Sequence, residues 1–119
     1  MTELLLAMHE FFAQLGIPVY LENGIPTDAA FPYLSWSPAL WDWTRGGLIT
    51  VRIWDRAFSY TRLCELADRF WELVPDTIPT ETGYIALAKG DPWAQIQPLQ
   101  DTVVKAVYFN LETKTFLGG

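Results

Sequence analysis

The hydrophobic positions at the start of the chain repeat at the spacing of a helix. They follow the pattern i, i+1, i+4, i+7, i+8, i+11 of one helical face, and they are Leu4, Leu5, Met8, Phe11, Phe12 and Leu15. Thr2 offers a side-chain oxygen suited to an N-cap, while Gly16 and Pro18 favour termination after Leu15. The pattern therefore predicts an amphipathic first helix.

Three strands are predicted between this helix and the middle of the chain. They span Ile17–Glu22, Phe31–Ser37 and Leu48–Trp54. The third has the clearest period-2 alternation, with Ile49, Val51 and Ile53 on one side and Thr50 and Arg52 on the other. That alternation predicts a strand with one buried and one accessible face.

The second strand is expected to lie at a sheet edge or to be entered through a bulge, because Pro32 and Pro38 cannot donate a backbone hydrogen bond. The segment Ser37–Gly47, which follows it, is interpreted as a connecting loop. Its last two residues, Gly46 and Gly47, can adopt the positive φ angles of a tight hairpin return.

A second helix is predicted over Ser59–Val74, ended by Pro75. Its apolar stripe consists of Tyr60, Leu63, Cys64, Ala67, Phe70, Trp71 and Val74. Because Cys64 falls on this stripe, we expect a buried and unreactive thiol. The charged residues occupy the opposite face, and they are Arg62, Glu65, Asp68, Arg69 and Glu72.

The last third of the chain is β-like. Strands are predicted over Gly83–Ala88, Trp93–Gln97 and Thr102–Leu111, with turns at Lys89–Pro92 and Pro98–Asp101. The complete order is α-β-β-β-α-β-β-β within one domain, residues 1–119. Short connections favour an α+β fold, in which a mostly antiparallel sheet carries both helices packed on one face. Its other face is left for solvent or for a partner.

Composition narrows the classes of function. The chain has 119 residues, 50% of them hydrophobic and 18% charged, which fits a folded domain and not a disordered chain. The formal net charge of −6 argues against a nucleic-acid binder. One cysteine provides neither a disulfide framework nor a cysteine zinc site. We find no signal peptide and no apolar run long enough for a membrane span, and we expect an intracellular product.

Candidate chemistry is sparse. His9 stands alone on its helix, without the neighbours of a metal site. A triad of Ser35, His9 and Asp42 can be written down, but no GxSxG turn accompanies it. Turn chemistry explains the aspartates near strand ends, which are Asp42, Asp55, Asp91 and Asp101. We therefore assign no catalytic, cofactor-binding or metal-ligating residue.

The six tryptophans are more than one small core usually takes, so we expect some of them on a contact surface. Tryptophan, tyrosine and arginine are enriched at protein interfaces. The predicted interface residues are Trp36, Trp41, Asp42, Trp43 and Arg45. Two other interpretations stay open, because these residues could cap the open end of the core or stack on sugar rings.

The order of elements and four segments resemble a family of phage proteins. The segments are GIPVY (Gly16–Tyr20), FPYLSW (Phe31–Trp36), the strand and helix Leu48–Leu73, and the closing strand Asp101–Phe116. Together they resemble the tail terminators and minor tail components of tailed phages and prophages, which are related in fold to the minor tail protein U of siphophages. The layout is similar over nearly the whole chain.

This resemblance implies a non-enzymatic virion protein without a cofactor. It would form a ring, of six copies, that caps the tail tube, ends its polymerisation and meets the head connector. Its partners would be further copies of itself, the tail tube protein and the connector, with no specific nucleic-acid sequence and no membrane. Its location would be the virion tail, and the host cytoplasm during assembly.

Two functions of other classes remain as alternatives. The first is a carbohydrate-binding module that uses surface tryptophans as a stacking platform. The second is a small acid–base hydrolase, which predicts a concave site containing a carboxylate with a strongly raised pKa.

Overall fold

The computed structural model describes residues 2–42, 45–97, 99, 101 and 103–117. Two helices and six strands follow one another along the chain. They are α1 (Thr2–Ala13), β1 (Val19–Leu21), β2 (Tyr33–Asp42), β3 (Gly46–Arg56), α2 (Thr61–Leu73), β4 (Thr77–Pro79), β5 (Gly83–Gln97) and β6 (Val104–Leu117). Neither helix is long and apolar enough to cross a membrane.

The strands form one sheet in the order β1-β2-β3-β6-β5-β4. Neighbouring strands are antiparallel except β1 and β2, which are parallel. The predicted α+β class and the order α-β-β-β-α-β-β-β are therefore confirmed. The segments that make up the last three strands differ from the prediction.

The core lies between one sheet face and the two helices. On β3 the predicted alternation is confirmed, since Ile49, Val51 and Ile53 are all fully buried. Their cross-strand partners on β6 are Leu111, Phe109 and Val107. The helices cover this face with buried side chains from both, which are Leu4, Met8, Phe11, Phe12, Leu15, Leu63, Leu66 and Phe70. Neither α1 nor α2 packs on the opposite sheet face.

The predicted loop Ser37–Gly47 is wrong for most of its length. β2 continues to Asp42 and pairs with β3 as a long hairpin, with a register shift between Ser37 and Leu40. The shift lets the strand continue past Pro38, and it lies beyond Ser37, whereas a bulge was expected at the entry to the strand. At the return, Gly46 has a φ of +98°, and a Cβ there would lie 2.3 Å from the Thr113 carbonyl oxygen. Only glycine fits this position.

The predicted turn Lys89–Pro92 is also wrong. Gly83–Gln97 forms a single strand whose pairing with β6 shifts register between Lys89 and Ala94. A bulge and a turn use the same residue types, so the sequence does not distinguish them. The three residues of β4 were not predicted, because they are too few to show an alternation.

Both flanks of the sheet are only partly covered. β1 pairs with β2 over Leu34–Trp36 alone, and β4 pairs with β5 over Tyr84–Ala86 alone. In the described chain, residues 37–42 of β2 and 88–97 of β5 have no strand on their outer side. Each uncovered stretch contains one proline and one register shift.

The buried stripe of α2 differs from the predicted one. It consists of Leu63, Leu66 and Phe70, while Cys64 and Trp71 are exposed. Leu66, which the predicted stripe left out, packs in the core, and Cys64 lies on the exposed side of the helix. The expectation of a buried thiol is therefore wrong.

The exposed thiol can be tested directly. We expect Cys64 of the folded protein to react with a maleimide at nearly the rate measured in denaturant, because the thiol is accessible without unfolding. Mass spectrometry measures the labelling, with Cys64→Ala as the unreactive control. Labelling that appears only after denaturation would contradict the structure.

Candidate interface surfaces

The predicted interface residues divide between the core and the end of the β2–β3 hairpin. The backbones of Trp41 and Asp42 pair with Gly47 and Gly46 at that end. Arg45 is exposed in the turn, and its carbonyl oxygen accepts a hydrogen bond from the Thr115 N–H at 3.0 Å. Trp43 lies outside the described residues. We call Trp41, Asp42 and Arg45–Gly47 the hairpin end.

Trp36 corrects the prediction, because it does not belong to an exposed surface. Its side chain is 1% exposed, and its ring packs 5.2 Å from that of Phe12, centroid to centroid. Its register partner on β3 is Val51, which is fully buried on the helix side. Trp36 is thus a core residue, as the alternative interpretation of the tryptophans allowed.

The uncovered sheet face carries an ordered polar network. Glu22 Oε1 accepts from Ser35 Oγ at 2.9 Å and from Arg52 Nη1 at 2.6 Å. Ser35 Oγ in turn accepts from Trp54 Nε1 at 2.9 Å, and Arg52 Nε donates to Gln97 Oε1 at 3.0 Å. The network joins Glu22, in the 3₁₀ turn Glu22–Gly24 after β1, to β2, β3 and β5, and it satisfies polar side chains on this face by mutual hydrogen bonds.

Aromatic rings surround one end of this network. The Tyr33 ring stacks on the Trp54 ring, with centroids 6.2 Å apart. Phe31 and Tyr20 also contact the Tyr33 ring. Burial, followed by the charge of Glu22, raises the pKa of the Tyr33 hydroxyl.

The structure does not bring the conceivable triad together. Ser35 is buried in the network of the uncovered sheet face, whereas His9 is exposed on α1, which packs on the other face. In the described part of the chain, no group of three or more metal-ligating side chains could hold an ion.

Asp55 is a feature that sequence reasoning missed. It lies within β3 and is 1% exposed, where a turn role was expected. Both carboxylate oxygens accept from Arg62 of α2, with Nε 3.0 Å from Oδ2, and the Arg56 N–H donates at 2.8 Å. Hydrogen bonds from Arg62, and then from the Arg56 backbone, lower the Asp55 pKa despite burial.

The other described carboxyl group with a displaced pKa is Asp101, which is lowered by the N–H groups of Val103 and Val104. A general acid needs a raised pKa. The two displaced aspartates therefore show the opposite of what the hydrolase alternative predicts.

A groove between α1 and the β4–β5 connection was also missed, because its two sides are distant in sequence. We call it the α1–β4 groove; it encloses about 340 Å³. Its lining consists of Glu3, Leu6, Ala7, Glu10, Pro79, Thr80 and Glu81. Thr82 Oγ1 donates to Oε1 of Glu3, one of the lining residues, at 2.8 Å.

Comparison with known proteins gives structural matches alone. No protein-family model and no curated protein matches the chain. The fold is similar to that of a chain in a solved structure described as the virion of a native gene transfer agent particle. The TM-score is 0.62 at 15% identity, over 87% of this chain and 82% of that chain.

The likeness extends over almost the full length in another solved structure, which is named only by a sequence identifier. Its TM-score is 0.64 at 15% identity, and the match covers 99% of this chain and 94% of that one. These comparisons establish a shared fold.

Proposed function

We propose that this protein is a non-enzymatic structural component of a phage-like virion. The observation that carries the proposal is the shared fold with a chain of the gene transfer agent virion, over more than four-fifths of both chains. The resemblance of the sequence to tail terminators supports the same role. In that role, copies of the chain form a six-membered ring on the tail tube, end its polymerisation and contact the head connector.

The geometry is compatible with head-to-tail assembly. A ring needs two different surfaces on each copy, related by a rotation that closes. We assign the hairpin end, together with the neighbouring Trp43, to the contact between copies, with Trp41, Asp42, Trp43 and Arg45 as the interface residues. Among the described residues, no strand lies outside this part of β2, since β1 pairs with Leu34–Trp36, and Arg45 is exposed.

Native mass spectrometry over a concentration series at physiological salt tests the ring. We expect a closed six-fold species whose share grows with concentration. A chain that stays monomeric throughout the series would contradict the proposal.

Replacing both Trp41 and Trp43 by alanine is expected to weaken ring formation at least tenfold, because aromatic anchors dominate such contacts. Thermal unfolding of the isolated chain should change little. The matched control is Trp71→Ala, which removes a half-exposed tryptophan from α2. Normal assembly of the double variant would exclude the hairpin end from the interface.

Oligosaccharide titration separates this role from the carbohydrate-binding alternative. A virion component of this kind should give no change in tryptophan fluorescence across a broad panel of sugars. A saturable change would favour the binding module instead.

A further inference from the structure

The hairpin end and the α1–β4 groove lie at the same height along the strands. The Arg45 carbonyl accepts from Thr115, Thr115 pairs with Ile85, and Ile85 pairs with Ile78 of β4. One continuous line of strand pairing therefore connects the hairpin turn with the strand that borders the groove.

These two surfaces also lie on opposite flanks of the sheet. At this height β2 forms one flank, because β1 reaches only Leu34–Trp36, and β4 forms the other. A copy placed beside another in the same orientation brings the hairpin end of the first towards the groove of the second. This is a head-to-tail contact of the kind that closes into a ring.

The groove is acidic, whereas the hairpin end contains one cation, Arg45, and one anion, Asp42. Glu3, Glu10 and Glu81 line the groove, and none of its lining residues is a cation. Arg45 is exposed on the hairpin end and forms no ion pair with a described side chain. Because each copy carries a net charge of −6, copies repel one another unless opposite charges meet locally.

The groove also offers apolar surface and an unused acceptor. Leu6 is 54% exposed and lines the groove with Ala7 and Pro79, so a neighbour would bury it. Glu3 Oε2 is shielded from solvent and accepts no hydrogen bond from the described residues. A guanidinium offers five donors, and it would reach this oxygen after the Glu3 side chain rotates towards the groove.

We propose that the α1–β4 groove of one copy receives the hairpin end of the next, with Arg45 paired to the groove carboxylates. The occupant is thus a second copy of this chain. The pairing rests on the ring-forming role proposed above and gives that role its second surface.

Charge reversal on each surface tests the pairing. Arg45→Glu, and separately the double change Glu10→Arg with Glu81→Arg, should each raise the concentration needed for ring formation by about 30-fold or more. Native mass spectrometry measures the ring, and far-UV circular dichroism checks that each variant is folded. The matched controls Arg56→Glu and Glu65→Arg reverse exposed charges outside both surfaces and should assemble normally.

Mixing the two defective variants gives the sharper result. In an alternating ring, the reversed hairpin end meets only the reversed groove, and the unchanged hairpin end meets only the unchanged groove. Equimolar mixing should therefore restore rings that contain both variants in equal numbers. The two masses differ, so the composition of each ring can be measured.

The outcomes separate this pairing from the ring itself. A wild-type ring together with normal assembly of Arg45→Glu, or defective variants that mixing does not rescue, would overturn the pairing and leave the ring intact. A wild-type chain that never assembles would overturn the ring and the pairing together.

Discussion

Replacing Trp36 by alanine is expected to lower the free energy of unfolding by about 3–5 kcal/mol, because it empties the space of a fully buried indole. Trp36 is the largest of the fully buried side chains, and its ring contacts Phe12 of α1. The cavity would open at the point where β2 supports the first helix. Denaturation in urea, followed by far-UV circular dichroism, measures the loss.

Two further variants serve as comparisons for the stability of Trp36→Ala. Trp36→Phe keeps a ring in place and removes an indole N–H that lacks a partner among the described residues, so its loss of stability should be far smaller. Trp71→Ala removes a ring that is already 48% exposed and should also cost much less. A Trp36→Ala protein as stable as Trp71→Ala would contradict the core position of Trp36.

Replacing Asp55 by asparagine is expected to lower the free energy of unfolding at pH 7 by about 1.5–3 kcal/mol, the usual contribution of hydrogen bonds to a charged group. Asparagine has nearly the same shape but cannot accept both bonds that Arg62 donates to the carboxylate. The link between β3 and α2 is weakened without a cavity.

The pH dependence gives an independent test. The pKa of Asp55 is lowered in the folded protein, so its contribution is complete above the pKa of an unfolded aspartate, about 4, and is lost as pH falls through the folded value. The difference between wild type and Asp55→Asn should therefore shrink below about pH 4. A constant difference down to pH 2 would exclude the ionised carboxylate as its cause.

Arg62→Gln is the matched partner variant. The hydrogen bonds from Arg62 are the largest cause of the lowered Asp55 pKa. This change should therefore make the free energy of unfolding depend less on pH in the same acid range. Asp101→Asn is the control. It removes the other aspartate with a lowered pKa, whose donors are backbone N–H groups, and it should leave the loss of stability that Asp55 causes at acid pH unchanged.

The sequence predicted the layered architecture because periodicity records burial. Ile49, Val51 and Ile53 alternate with polar residues, and the order of helices and strands followed from such patterns. The secondary structure of residues near bulges was harder to predict from the sequence. Pro38 and Gly90 suggested a loop and a turn, but both lie within long strands, where a register shift accommodates them.

The surfaces were less predictable because they depend on residues brought together by the fold. A count of tryptophans cannot tell Trp36, which faces the helices, from a tryptophan at the hairpin end. The α1–β4 groove joins Glu10 to Glu81 across seventy residues of chain. The Asp55–Arg62 pair crosses from strand to helix within seven residues, but the sequence spacing reports neither the burial of Asp55 nor its hydrogen bonds with Arg62.

The uncovered stretches of β2 and β5 have a consequence for the free protein. Long bare strand edges recruit other strands and start amyloid-like aggregation. Here each edge is interrupted by a bulge and by a proline, Pro38 or Pro92, that offers no N–H to an incoming strand. We therefore expect the free chain to resist fibrillation at high concentration, because neither edge offers an uninterrupted row of backbone donors to another strand.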